Sequence, residues 1–197
     1  MEEVEVSLRQ QAWKGAIDCF GTAHIFERRA RRLKYATRAL DFGAVGVPAV
    51  VGALALADWL TGWVLAAATL LLLLQLTLAV WSATASWTER LGFCSQSAAD
   101  NSHLSRRYRR LAEAPPRDTN ELRRELELIH VEYDYRSRSD EQQHVTERER
   151  KRGHRAGLRQ FGRACHACGR VPGDMTSTDC GVCGQFKRKS RARKKER

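Results

Sequence analysis

The sequence predicts a mainly α protein: a two-helix transmembrane hairpin with amphipathic flanking helices, closed by a small C-terminal ribbon clamped by cysteines. Three observations carry that prediction. Apolar residues are concentrated between Leu40 and Trp87 rather than spread as a globular core of a 197-residue chain requires. Two arginine-rich segments bracket this block. Four of the six cysteines form the pairs Cys165-His-Ala-Cys168 and Cys180-Gly-Val-Cys183, eleven residues apart.

Residues 1–39 read as an amphipathic arm. Trp13, Ile17, Phe20 and His24 recur at three- and four-residue intervals, and Leu33, Ala36 and Leu40 carry helical spacing toward the apolar block. The arm is expected on the inner membrane surface or packed on a neighbour. His24 has no ligand spaced with it and reads as a packed or interfacial histidine.

Residues 40–88 read as the hairpin. Leu60 to Trp81 is 22 residues without a charge, about 33 Å at roughly 1.5 Å per residue, enough to cross a bilayer. Trp59, Trp63, Trp81 and Trp87 lie near its ends, where an amphipathic ring prefers the headgroup level. The first run, Phe42 to Ala57, is 16 uncharged residues with Pro48 inside and Asp41 at its edge, so length alone leaves it ambiguous. Charge distribution favours a second crossing. Arg28, Arg29, Arg31, Arg32, Lys34 and Arg38 precede the first run, Arg106, Arg107, Arg109 and Arg110 follow the second, and the link between the runs carries only Asp58. Two crossings place both basic segments, and both termini, in the cytoplasm. The link from Ala57 to Thr61 then leaves room only for an antiparallel helical hairpin. No short apolar core with a small-residue cleavage site precedes this block, so a cleaved signal peptide is not expected.

Within the hairpin, Ala49, Ala53 and Ala57, with Gly46 and Gly52 nearby, form a smooth ridge on which helices approach closely, and Gly62 and Ala66 repeat it. Thr69, Gln75 and Thr77 are the polar side chains deep in the second run. Gln75 in lipid needs a hydrogen-bond partner, from its own hairpin or from another copy.

Residues 89–160 read as cytoplasmic charged helices and linker. Pro115 and Pro116 break the chain, and Asp118 with Glu121 resembles a helix-starting capping box. Leu122, Leu126, Ile129 and Tyr133 then follow a coiled-coil spacing for under two heptads, suited either to pairing subunits or to resting on the chain's own arm. Arg136 to Arg159 is almost wholly charged and polar, an exposed helix or linker.

Residues 161–186 read as a zinc ribbon. A CxxC turn presents two sulfurs to one ion, and Cys165, Cys168, Cys180 and Cys183 supply the four thiolates of a closed structural Zn²⁺ site. Gly169 and Gly184 follow the second cysteine of each pair, where a positive φ turns backbone N–H groups toward sulfur. Arg163, Arg170 and Lys187 are placed to offset the formal charge of −2 on such a site. His166 reads as a spacer, and a dithiol redox switch needs only one such pair on a βα framework that is missing. In residues 187–197 eight of eleven positions are basic, a tail suited to anionic lipid or to phosphates of nucleic acid. The formal net charge of +11 fits either. No metalloprotease helix motif, phosphate-binding glycine loop or nucleophile elbow occurs, so an enzyme is not expected.

The arm, the apolar hairpin and the signature from Cys165 to Cys183 together resemble the mobile-element-associated CxxCx(11)CxxC proteins, and residues Trp13 to Tyr135 are similar in architecture to the SLATT group of two-transmembrane effectors of prokaryotic conflict systems. The resemblance implies a pore-forming or membrane-disrupting effector in defence, carried on mobile elements and located in the inner membrane. The small-residue ridge and Gln75 lead to the expectation of a homo-oligomer in the lipid bilayer, and the resemblance implies a trigger sensed by the ribbon or by a sensor or nucleotide-signalling partner. The alternative is a membrane-anchored zinc-ribbon adaptor that binds nucleic acid or a partner protein.

Overall fold

The computed structural model describes residues 2–57 and 62–186. Asp58 to Thr61 and the basic tail from Lys187 lie outside the described residues, so the expectations placed on Asp58, Trp59, the interhelical link and the tail find no structural account. The described residues are mainly helical: α1 (Glu2–Leu56), α2 (Gly62–Thr84), α3 (Trp87–Glu113), α4 (Thr119–Glu141) and α5 (Glu147–Gln160), with no strand among them. Two compact units divide the chain. One is formed by Met1–Glu27 with Gln96–Arg197, the other by Arg28–Ser95.

The second unit holds both apolar stretches. Each belongs to a helix long and apolar enough to cross a membrane. Their large side chains are uncovered: Phe42, Val45, Leu56, Trp63, Leu70 and Trp81 are all exposed, and α2 buries Ala68 alone. Helix α1 continues through Pro48. Proline has no N–H to donate, so one intrahelical bond is missing there.

The first unit has a conventional core. Leu8, Ala12, Ala16 and Cys19 of α1 pack with Leu104, Tyr108 and Leu111 of α3 and with Leu122, Leu126 and Ile129 of α4. The short heptad seam of α4 is therefore spent within the chain, on α1 and α3. Asp118 caps α4 by accepting from the Asn120 N–H at 3.0 Å. A complete capping box opens α5 instead, where Thr146 and Glu149 satisfy each other's backbone N–H groups.

Two features depart from the reading of Arg136 to Arg159 as linker or exposed helix. Asp140 is buried between α3 and α4, where Ser97 Oγ and Asn101 Nδ2 each donate to it at 2.7 Å and Arg136 Nη2 donates at 2.9 Å. Arg136 Nη1 also reaches Asp100 at 3.0 Å. A buried carboxylate is tolerable only with such a full set of donors. Helix α5, for its part, buries Gly153, Arg155, Ala156, Gly157 and Leu158. It lies directly on the backbone of α1: a Cβ at Gly153 would stand 2.6 Å from the Gly21 carbonyl oxygen, and one at Gly157 would stand 2.6 Å from that of Ile17. Only glycine permits that approach. The Trp13, Ile17, Phe20 face of α1 is thus covered by its own chain, with Phe161 edge-on to both Trp13 and Phe20.

Candidate metal centre

Each cysteine pair is closed by the same local bond. The Gly169 N–H donates to the Cys165 carbonyl at 2.8 Å, and the Gly184 N–H to the Cys180 carbonyl at 2.9 Å. Such a turn places the first and fourth side chains of the unit on one side, as a two-residue spacer requires. Gly169 has φ +66, as its position predicts. Gly184 is not among the positive-φ glycines; it is needed for space, since a Cβ there would collide with the Thr178 hydroxyl and stand 2.5 Å from the Thr178 carbonyl oxygen. Ser177 and Thr178 donate to the Gly184 carbonyl at 2.7 and 3.3 Å, tying the connecting loop to the second turn. The segment is a pair of cysteine knuckles held by turns.

The two knuckles converge. The sulfurs of Cys165, Cys168, Cys180 and Cys183 all lie within 4.8 Å of one another, with Cys168 and Cys183 at 3.8 Å. Cys165 and Cys183 are buried. The backbone N–H groups of Cys183 and Val182 point at the Cys180 sulfur and hold its thiol down to about 6. Burial pushes the Cys183 thiol up to about 12, and the neighbouring sulfurs push the same way. Four thiolates this close repel unless a cation sits among them, and the number, softness and spacing of the donors fit a four-coordinate metal ion.

The charge that faces this cluster comes from an unexpected residue. Arg155 of α5 is 6% exposed and directs Nη1 toward the Cys183 sulfur at 3.9 Å, while its Nε and Nη2 donate to the Asp174 carbonyl and carboxylate at 2.9 and 3.2 Å. Thr176 also donates to Asp174, from its hydroxyl at 2.6 Å and its N–H at 3.0 Å, and these bonds with Arg155 hold the Asp174 carboxyl down to about 2. Arg163, expected near the sulfurs, lies over the Trp13 ring at 3.9 Å, and Lys187 is outside the described residues. The sequence held a signal for Arg155 only in retrospect, as a lone arginine between Gly153 and Gly157 on the buried face of α5. Ile17 and Leu158 complete the packing of the cluster, in contact with Cys165 and Cys183. His24, read as a packed or interfacial histidine, lines a small cavity with Phe20, Ala156 and Met175.

The model of the mobilome CxxCx(11)CxxC protein family matches residues 9–186. The chain belongs to this family. The match runs from within α1 through α5 and takes in the four cysteines. No curated protein and no solved structure matches the chain.

Proposed function

We propose that this protein is a non-enzymatic membrane effector of a prokaryotic conflict system, SLATT-like in its hairpin, that oligomerises to form a pore or disrupt the bilayer. In this reading both apolar stretches cross the inner membrane, both termini are cytoplasmic, and the knuckles hold a structural Zn²⁺ as the recognition or gating module. The observation that carries it is the contrast inside one chain between a well-packed polar unit and two apolar helices left uncovered. In water so much apolar surface is unfavourable, at about 25 cal/mol per Å². A bilayer and other copies of the hairpin remove it from water.

The polar groups of α2 support association. The Thr69 and Thr77 hydroxyls donate to carbonyls one turn back, Leu65 at 2.9 Å and Leu73 at 2.8 Å, and so ask nothing of a neighbour. Gln75 Oε1 is shut away with no hydrogen-bond partner among the described residues. Lipid offers none, so a second hairpin is the natural source. Ala49, Ala53 and Ala57 are exposed on the first stretch and leave a smooth surface for that contact. The zinc site, with four thiolates, is closed to substrate.

Dye or ion leakage from cells expressing the full chain, in the presence of candidate triggers, tests the reading. Leakage that falls severalfold on Gln75→Leu supports it. An impermeable membrane together with tight, salt-sensitive binding of nucleic acid by the full chain would favour the anchored adaptor instead.

A further inference from the structure

Beside the four-cysteine cluster lies a second group of ligand atoms that shares one sulfur with it. His154 of α5, His166 of the first knuckle and Cys165 each present an atom within 4.8 Å of the other two. The imidazole rings stand edge to face, with centroids 6.2 Å apart. His154 Nε2 is shut off from solvent and has no hydrogen-bond partner among the described residues, an arrangement that costs free energy unless something else occupies that nitrogen. Its other nitrogen, Nδ1, faces the Asp18 carboxylate of α1 at 3.8 Å. At that distance Asp18 sets a negative charge beside the ring, outside hydrogen-bond range.

We propose that this group is a second Zn²⁺ site, in which the Cys165 thiolate bridges to the ion of the four-cysteine cluster and His154 and His166 complete three protein ligands. Charge favours the arrangement. One Zn²⁺ among four thiolates leaves a formal −2, and a second divalent ion on a shared thiolate with two neutral imidazoles brings the pair to zero. Arg155 faces the cluster from the Cys183 side, so the Cys165 side is the one with charge left to neutralise. The fourth position is open to water. Because His154 stands on α5, the second ion fastens the knuckles to that helix.

The inference rests on the four-cysteine metal reading, and metal counting separates the two. Full-length protein in detergent is loaded with Zn²⁺, passed over a chelating resin, and its zinc per chain is measured. The expected result is two ions in the wild type, mixed nitrogen and sulfur coordination by X-ray absorption, and one ion with sulfur-only coordination in the double variant His154→Ala, His166→Ala. Should that variant misfold, His154→Gln with His166→Gln replaces it, and the wild-type count and spectrum decide without either. One ion in the wild type, whether its shell is all sulfur or includes nitrogen, overturns the second site and leaves the first. No retained zinc overturns both.

Discussion

Helices α2 and α5 invert the usual relation between hydropathy and burial. Helix α2, GWVLAAATLLLLLQLTLAVWSAT, is the most apolar segment of the chain and buries Ala68. Helix α5, ERERKRGHRAGLRQ, is among the most polar and buries five residues. The difference teaches that composition reports the solvent a helix prefers, whereas burial reports what the fold lays against it. Lipid can cover α2 along its whole surface. Helix α5 is covered because glycine leaves room for the α1 backbone, and because Arg155 finds partners in Asp174 and the Cys183 sulfur.

The sharpest way to break this contrast is to remove the metal. A strong chelator, or Cys183→Ser, is expected to abolish metal binding and the amide protection of residues 161–186 in hydrogen exchange, since structural zinc in small domains contributes on the order of 10 kcal/mol. Protection in α2 should be unchanged. Loss of both together would show that the two units are not independent.

Asp140→Ala comes next. It leaves Arg136 half-paired between α3 and α4 and is expected to destabilise the helical unit by about 3–5 kcal/mol in denaturant unfolding. A change within about 0.5 kcal/mol would mean that water serves this polar cluster as well as protein does. Gly157→Leu drives a side chain into the Ile17 carbonyl and should cost about 1–3 kcal/mol by the same measurement, whereas Leu72→Ala on the exposed surface of α2 should leave that transition within about 0.5 kcal/mol. Equal effects would erase the distinction between the helices.

Acid gives the mildest test. Protons compete with the metal for the four thiolates, so metal release is expected on mild acidification. Asp174 behaves differently: its carboxyl is depressed from 3.8 to about 2. The stability it contributes is present above 3.8 and is lost only as pH falls through about 2. Metal release followed by absorbance should therefore precede loss of the Arg155–Asp174 contact seen in the arginine side-chain NMR signals. The reverse order would place the titrating groups elsewhere.

Much of this was legible where the determinant is local. The two cysteine pairs, the glycine after Cys168, the apolar runs and the Asp118 cap each depend on neighbours within a few residues. The alternating four- and three-residue spacing of Leu122, Leu126 and Ile129 correctly marked an apolar face, but spacing cannot say whether a partner is a second subunit or the chain's own α1 and α3. Gly184 was rightly singled out for the wrong cause: its bond to Cys180 is local, while the crowding that demands glycine comes from Thr178 across the loop.

By itself the sequence determined which segments are apolar enough to cross a membrane, where α4 begins, and that four thiols suit one metal ion, because side-chain chemistry and short-range backbone geometry decide these. Only the tertiary structure decided that Asp140 lies between α3 and α4, that α5 lies on α1, and that His154 meets His166 and Cys165. Those contacts join residues far apart in the chain, Ser97 to Asp140 and Ile17 to Gly157 among them. A polar residue is buried when distant donors happen to surround it, and no local pattern encodes that.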